Sequence, residues 1–264
     1  MLTTTKKYSN KLKPYVNDVL VFEEDDPNAS NLLPFYADGY PGIVFHNAKN
    51  KLNLLPKNKE LSPFFLYGQT IEPIELKVSG VYKMIVFQLF PFAARILLGI
   101  HPKELNDDCY DLTKLSKPIA KTTYNKLIKT DSTKEQIELI STLLNILAEK
   151  SSLDPDKSII LAINLVLQFK GKITIKELRS KLFITERTLE RRFVNEIGVT
   201  PKMFCKIIQF QNTVNQISSK YDSKLIDIVY ENGFSDQSHF IKTFKKYTGI
   251  TPSEFQNLPA LANF

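Results

Sequence analysis

The sequence has little of what a catalytic or metal-binding centre needs. Its 264 residues include no tryptophan, two cysteines and three histidines. The histidines, His46, His101 and His239, have no second histidine or cysteine at the spacing of metal ligands. The sequence also has no phosphate loop, nucleophile elbow or HExxH motif. We therefore predict a protein that is not an enzyme and that carries neither a metal ion nor a cofactor.

Long apolar runs and disulfide patterns are missing as well. Cys109 and Cys205 are far apart in the sequence, so a disulfide framework is not expected and a reducing compartment fits. The most apolar stretch, residues 159–167, is too short to span a bilayer. Residues 1–14 are polar and basic, without the apolar centre of a secretory signal. These absences predict a soluble cytoplasmic protein with no membrane partner.

The chain does have enough apolar side chains for a substantial core, together with a net positive charge. It is 43% hydrophobic and 24% charged, which is typical of a globular protein. Of the net charge of +7, residues 151–264 contribute +5, with 16 basic and 11 acidic residues. The basic excess thus lies mainly in the last part of the chain, as expected if that part meets phosphates.

The first part of the chain predicts a β-rich domain. Residues 1–30 are polar, and we expect them to begin with a frayed tail. Short β-branched and aromatic runs bounded by Pro, Gly and Asn then predict strands of a small sheet or barrel. These runs are 42–46, 64–67, 74–78 and 82–90. Aromatic residues here either line a ligand pocket or, as is more usual, fill the sheet core. They are Phe35, Tyr36, Tyr40, Phe45, Phe64, Phe65, Tyr67, Tyr82 and Phe87.

The middle of the chain predicts two helices. Ile137, Ile140, Leu144 and Leu147 recur at three- and four-residue spacings, which indicates a helix with one apolar face. A second helix is expected from an N-cap at Asp154, with a proline at its first position, to residue 169. The apolar stripe of the first helix either packs within the chain or forms an oligomerisation surface.

The last third of the chain contains the same pattern twice, at an offset of 50 or 51 residues. Each copy predicts a short helix, a tight turn and a second helix that ends at Gly-(Val/Ile)-Thr-Pro. The first copy is marked by Leu178, Leu182, Ile184, Thr185, Leu189, Phe193, Gly198, Thr200, Pro201 and Phe204. The second is marked by Ile228, Phe234, Ser235, Phe240, Phe244, Gly249, Thr251, Pro252 and Phe255. Two such units in tandem, basic overall, are typical of paired helix-turn-helix modules on DNA.

The second helix of each copy has an apolar side and a polar side. At 100° per residue, Leu189 and Phe193 point inward, whereas Arg187, Glu190 and Arg191 point outward. Arginine can donate two hydrogen bonds to guanine and glutamate can accept from cytosine, so this face suits base reading. The alternative is an ordinary solvated charged face.

A single helix is expected to connect the copies. Residues 201–220 form one continuous pattern with Phe204, Ile207, Ile208 and Val214 on its buried side. At a rise of 1.5 Å per residue its length is about 30 Å, close to the roughly 34 Å of one turn of B-DNA. One chain can thus place two reading helices in successive major grooves.

Residues 171–258 resemble the DNA-binding domain of the AraC/XylS family of bacterial transcription regulators. The resemblance rests on residues 226–246 and 249–255 of the second copy and on 185–193 and 198–201 of the first. It implies base-reading roles for Arg187, Glu190, Arg191, Gln237, Ser238 and Lys242. Phosphate contacts are expected from Thr188, Arg192, Lys202, His239, Lys245 and Lys246.

The sequence departs from the family pattern in two places. Phe183 stands where the family usually has glycine in the turn, which makes a left-handed turn costly and predicts altered geometry there. Residues 207–212 replace a stretch that is commonly rich in arginine, so we expect fewer phosphate contacts from the linker.

Residues 33–115 resemble, less specifically, the β-rich N-terminal domain of some family members, which implies a regulatory domain of unassigned ligand. We therefore predict an α+β protein with a β-rich regulatory domain (1–125), a helical connector (126–170) and an all-α tandem helix-turn-helix domain (171–264) whose two subdomains are joined by a linker helix. The expected partners are double-stranded DNA, RNA polymerase, an unknown small-molecule effector and a second copy in a homodimer.

Two alternatives stay open. In one, the N-terminal domain only oligomerises and binds no effector. In the other, the chain is a DNA repair protein that transfers an alkyl group to a reactive cysteine. Against the second, Cys109 stands beside Asp107 and Asp108, whose charges oppose thiolate formation.

Overall fold

The computed structural model describes residues 2–4, 8, 10–219 and 225–257. They form ten strands and ten α-helices, with 3-10 turns at Asn10–Leu12, Pro102–Leu105 and Leu112–Lys114. The strands are β1 (Leu2–Thr4), β2 (Val16–Glu24), β3 (Ser30–Phe35), β4 (Gly42–His46), β5 (Asn53–Leu55), β6 (Lys59–Glu60), β7 (Phe64–Tyr67), β8 (Ile74–Ser79), β9 (Tyr82–Leu89) and β10 (Cys109–Asp111). The helices are α1 (Ala93–Leu98), α2 (Pro118–Leu127), α3 (Thr133–Lys150), α4 (Lys157–Gln168), α5 (Ile175–Leu182), α6 (Glu186–Ile197), α7 (Pro201–Ser219), α8 (Leu225–Glu231), α9 (Gln237–Thr248) and α10 (Pro252–Gln256). The strands lie in the N-terminal part and all helices except α1 follow the last strand, which confirms the α+β class.

Two antiparallel sheets build the N-terminal part. Six strands pair in the order β1-β2-β9-β4-β7-β10, and four pair in the order β3-β8-β5-β6. One face of the larger sheet packs on the smaller sheet, with Val44 and Phe65 against Leu76. The opposite face, which includes Phe45 and Phe87, shares a core with α1 and α3. Because both faces are covered, every residue of β4 and β7 is buried.

Strand β2 corrects the prediction for residues 1–30. It is nine residues long and pairs with β9 in the middle of the larger sheet. Val19 and Val21 are buried, but the polar residues around them masked the alternation that marks a strand. Of the expected frayed tail, residues 2–4 form β1, and most of the others lie outside the described residues.

The apolar stripe of α3 is intramolecular core. Ile137 is 6% exposed, Ile140 and Leu144 are fully buried, and all three belong to the cluster that contains α1 and the larger sheet. Of the two alternatives for this stripe, packing within the chain is confirmed and the oligomerisation surface is wrong. A helix packed between a sheet and its neighbours has the same sequence periodicity as one that dimerises, so the pattern alone could not separate them.

Helix α4 begins later than predicted. Its N-cap is Asp156, whose side chain accepts a hydrogen bond of 2.9 Å from the backbone nitrogen of Ser158. Asp154 and Pro155 precede the helix, so the proline is not its first residue. Two aspartates compete for the cap here, and the structure uses the one that is followed two residues later by a serine.

The C-terminal part contains the two expected helix-turn-helix units. The first is formed by α5 and α6, the second by α8 and α9, and α7 connects them. Phe204, Ile207 and Phe210 of α7 are fully buried, and α7 contributes to the cores of both units. This confirms the linker helix and its buried side; Lys220, its expected last residue, lies outside the described residues.

Both units contact the N-terminal part. An ion pair joins Arg95 of α1 to Glu196 of α6, and the Asn106 side-chain amide donates to the carbonyl of Gly198 at 3.0 Å. On the other unit, the ring of Tyr36 lies 5.7 Å from that of Phe255. Tyr36 and Ala37 are part of the same apolar cluster as α9 and α10. The sheets and the helix-turn-helix units therefore share continuous packing.

Candidate nucleic-acid interface

Helix α6 is anchored by its apolar side and begins at a capped end. Thr185 is the N-cap, and its hydroxyl accepts a hydrogen bond of 3.2 Å from the backbone nitrogen of Thr188. Leu189 and Phe193 are fully buried, with the Phe193 ring 5.5 Å from that of Phe204 on α7. The opposite side faces solvent. Its exposed residues include the expected base readers Arg187, Glu190 and Arg191.

Helix α9 repeats this arrangement in the second unit. Its N-cap Asp236 accepts a hydrogen bond of 2.8 Å from the backbone nitrogen of His239, and this bond lowers the pKa of the Asp236 carboxyl. Phe240 and Phe244 are fully buried, edge to face with each other at 5.5 Å. The expected readers on the outer side, Gln237, Ser238 and Lys242, are exposed.

Four of the six expected phosphate contacts are exposed around these helices. They are Lys202, His239, Lys245 and Lys246. The His239 ring packs against Phe234 at 5.7 Å, and the Lys246 ammonium lies 5.5 Å from the centre of the Tyr247 ring. Thr188 is half-buried, and its oxygen accepts a hydrogen bond of 2.9 Å from the Thr185 hydroxyl. Thr188 thus already takes part in the cap of α6.

Arg192 is paired with the start of α4, although its side chain is still 40% exposed. Its guanidinium lies 3.2 Å from Asp156 and donates to the Ser158 hydroxyl at 3.1 Å. Arg192 therefore ties α6 to the first turn of α4, a contact that the repeat pattern does not reveal. This geometry does not favour the expected phosphate role.

Phe183 corrects the expectation of an altered turn. It adopts the left-handed conformation, with φ 54° and ψ 39°, and its backbone nitrogen bonds to the carbonyls of Arg179 and Ser180. The turn therefore keeps the geometry that glycine would give, at a strain cost of about 1–2 kcal/mol for an L-residue. The phenyl ring is 95% exposed.

A family model described as a helix-turn-helix domain matches residues 178–257 of this chain. A second model, described as a domain of unknown function (DUF6597), matches residues 8–111. The transcriptional activator RhaS of Mannheimia succiniciproducens is 33% identical over 89 residues, which is 33% of this chain and 32% of RhaS. The transcriptional regulatory protein YesN of Bacillus subtilis is 32% identical over 79 residues, 30% of this chain and 22% of YesN.

The C-terminal segment of this chain is thus similar to the helix-turn-helix domains of AraC/XylS-type transcription regulators, which supports the resemblance seen in the sequence. The matched segment spans about a third or less of these curated relatives. The whole fold is similar to that of ToxT from Vibrio cholerae, with a TM-score of 0.52 and 12% identity over 90% of this chain and 97% of ToxT. At that identity the likeness concerns the fold alone.

The N-terminal part has a small cavity between its two sheets. Its volume is about 30 Å³, enough for one or two water molecules. The lining includes the aromatic residues Phe22, Phe35, Tyr36 and Tyr67 and the polar residues Asp38, Thr70 and Gln88. Burial raises the pKa of Asp38 to about 6, and its carboxylate accepts hydrogen bonds from Gln88 at 2.7 Å and from the Tyr40 backbone nitrogen at 2.8 Å.

The two cysteines are both buried in this structure. Burial raises the pKa of Cys109 to about 12, with a smaller contribution from Asp108, and burial raises that of Cys205 to about 12 as well. Both thiols are therefore poor nucleophiles. Among the described residues, no group of three or more His, Cys, Asp or Glu side chains is placed to hold a metal ion. Within the same residues, no helix is long and apolar enough to cross a membrane.

Proposed function

We propose that this protein is a sequence-specific DNA-binding regulator of transcription. The observation that carries the proposal is the pair of helices α6 and α9. Each buries an apolar side in its own unit and exposes a polar side that can donate to and accept from base edges. The curated relatives with matching segments are transcriptional regulators, which agrees with this role. We assign no catalytic step to the chain.

The side chains divide into readers and anchors. The proposed base readers are the exposed residues Arg187, Glu190, Arg191, Gln237, Ser238 and Lys242. The proposed phosphate contacts are Lys202, His239, Lys245 and Lys246, together with Thr188, whose hydroxyl accepts from Thr185 and can itself donate to a phosphate oxygen. We leave Arg192 out because Asp156 and Ser158 already hold its guanidinium.

The linker helix supports binding by one chain to two grooves. Its 19 residues give a length of about 28 Å at 1.5 Å per residue. Consecutive major grooves on one side of B-DNA are about 34 Å apart. Because α7 is packed in the cores of both units, it fixes them relative to each other.

The N-terminal part is proposed to modulate DNA binding by direct contact. Three contacts support this: Arg95 with Glu196, Asn106 with Gly198, and Tyr36 with Phe255. ToxT, which shares the fold, was also solved with an unsaturated fatty acid bound. In this chain the cavity beside Asp38 would have to widen to admit a small-molecule effector. RNA polymerase and a homodimer partner stay predictions, as do the domain limits 1–125, 126–170 and 171–264.

Two variants of the full-length protein test the readout. Arg191→Ala removes a proposed reader, so discrimination at particular base pairs should fall by about 1–3 kcal/mol. Lys246→Ala removes a proposed phosphate contact, so affinity should fall on all duplexes and its salt dependence should become shallower. Affinities for a selected site and for random duplexes, measured over a range of salt, separate these outcomes. If Arg191→Ala weakened specific and random DNA equally, the assignment of α6 as a reading helix would be wrong.

A further inference from the structure

Phe183 is unusual because it combines backbone strain with an apolar ring in solvent. Its φ of 54° lies in the left-handed region, which is unfavourable for every residue that has a side chain. The cost is smaller for Asn and Asp than for other residues. Its ring is 95% exposed, so folding does not bury it. Among the residues that the structure describes, packing offsets neither cost. Residues kept in such a conformation cluster at binding sites, where a strained side chain serves an external contact.

The repeat supplies an internal comparison. The residue at the equivalent position of the second unit is Gly233, which has φ 78°. The same turn is therefore built in this chain with glycine, which adopts that conformation without strain. The first unit has the same backbone path and adds a phenyl ring to it. The turn does not require the ring.

The position of Phe183 indicates what the ring meets. It stands two residues before Thr185, the N-cap of α6, and α6 carries the proposed readers Arg187 and Arg191. The exposed charged residues beside it are the basic Lys181 and Arg187 and the acidic Glu186, so positive charge is in slight excess. A partner that suits positive charge together with one apolar ring is DNA, approached at the start of a reading helix. The apolar group that DNA presents in its major groove is the C5-methyl of thymine.

We propose that Phe183 contacts a thymine methyl group at the edge of the site read by α6, and so adds a base preference beyond those of Arg187, Glu190 and Arg191. This inference rests on the proposed function, because it needs α6 to lie in the major groove. It makes Phe183 a specificity-determining residue. The second unit, with Gly233 at this place, has no counterpart to it.

The test compares DNA sequences selected in vitro by the full-length protein and by three variants. Phe183→Gly reproduces the turn of the second unit, and Phe183→Asn keeps a side chain that tolerates the left-handed conformation but is polar. Both variants should be at least as stable as the wild type in thermal unfolding, since both relieve strain. The matched control is Ile128→Asn at the end of α2, which removes an apolar side chain that is 57% exposed in the N-terminal part.

The wild type and Ile128→Asn should select a thymine at one position flanking the bases read by α6, and both Phe183 variants should lose that preference. Replacing this thymine with deoxyuridine removes only the methyl group. The replacement should weaken wild-type binding about fourfold, the effect of burying one such group, and should leave Phe183→Gly unchanged.

Two outcomes overturn the inference while leaving the proposed function intact. In the first, the wild type and the Phe183 variants select the same sequence and bind it with equal affinity. In the second, replacing the thymine with deoxyuridine weakens DNA binding by the wild type and by Phe183→Gly by the same factor. If the wild type selected no sequence at all, the proposed function itself would fail.

Discussion

The ion pair between Arg95 and Glu196 joins the N-terminal part to the back of a reading helix. The Glu196 side chain is only 9% exposed, and that of Arg95 is 22% exposed. Among the described residues, the second carboxylate oxygen of Glu196 has no hydrogen-bond partner. Glu196 thus depends on Arg95 for compensation of its buried charge.

Arg95→Met should lower the free energy of unfolding by about 1.5–3 kcal/mol, the contribution of a hydrogen bond to a charged group. The substitution keeps most of the apolar stem and leaves a buried carboxylate without its cation. Adding Glu196→Gln to Arg95→Met removes that carboxylate and should recover part of the loss. Urea unfolding of the two variants measures both effects, and an unchanged midpoint for Arg95→Met would contradict this account.

His46 gives the fold a pH dependence that can be isolated. Burial lowers the pKa of its imidazole to about 4, below the value of about 6.5 for an unfolded chain. Between these two values the unfolded chain binds a proton that the folded chain does not. The stability that comes from keeping His46 neutral is therefore complete above about pH 6.5 and is lost as the pH falls toward 4.

His46→Phe should remove this dependence. As the pH is lowered from 6.5 to 4, the free energy of unfolding of the wild type should fall relative to that of the variant, by up to about 1.4 kcal/mol per pH unit. Comparing the two proteins at each pH cancels the titration of other groups, such as Asp38. Urea unfolding at half-unit pH steps gives the measurement. A difference that stays constant over this range would show that His46 does not titrate with folding.

Single residues also show where sequence reasoning about the site succeeded and where it stopped. The exposure of Arg187, Glu190 and Arg191 followed from a 100° helical plot and from a well-marked repeat. The ion pair of Arg192 with Asp156 did not, because the two residues are 36 positions apart and belong to different helices. Periodicity predicts which side of a helix is buried, but not which distant side chain meets a charge at its edge.

At the scale of elements, the two units can be compared at the glycines that end their reading helices. Gly198 and Gly249 both adopt the left-handed conformation, with φ 90° and 79°. A Cβ at Gly198 would lie 2.8 Å from the carbonyl carbon of Pro102, in the N-terminal part. At Gly249 the nearest atom, in Pro73, would be 3.8 Å away. Only the first helix end is pressed against the backbone of the N-terminal part.

Gly249→Ala should therefore cost only the strain of a left-handed alanine, about 1–2 kcal/mol. Gly198→Ala should cost the same strain and, in addition, about 1–3 kcal/mol for displacing the backbone at residues 102–103. Thermal unfolding of the two single variants is a matched comparison, since the substitution and the local conformation are the same. Equal losses would show that the contact between α6 and residues 102–105 is loose.

The sequence predicted the C-terminal helices better than the strands of the N-terminal part. The C-terminal helices followed from capping residues, apolar spacing and the terminal glycines, which are all local signals. Strand β2 was missed because the polar residues around its apolar run hid the alternation, and because its pairing with β9, 58 to 73 residues further along the chain, leaves no local signal. The stripe of α3 was visible in the sequence, but its partner was not, since a buried helix and a dimer interface share one pattern.

The whole molecule is held together by cores that cross from one part to the other. One cluster runs from the larger sheet through α1, α3 and α4 to α6 and α7. Another joins Tyr36 and Ala37 to the second helix-turn-helix unit. The N-terminal part therefore contacts both units and the linker helix, so a change in the sheets can alter the relative placement of α6 and α9.

The central claim is that one chain reads two successive major grooves, with α6 in one and α9 in the other. The most direct measurement is in vitro selection with the full-length protein and with Arg191→Ala and Lys242→Ala, followed by sedimentation on the selected duplex. We expect two blocks of preferred bases about 10 base pairs apart, in a complex of one chain with one duplex. Arg191→Ala should erase preferences in one block only, and Lys242→Ala should do so in the other. A single block, or a complex that forms only with two chains on one site, would contradict the account.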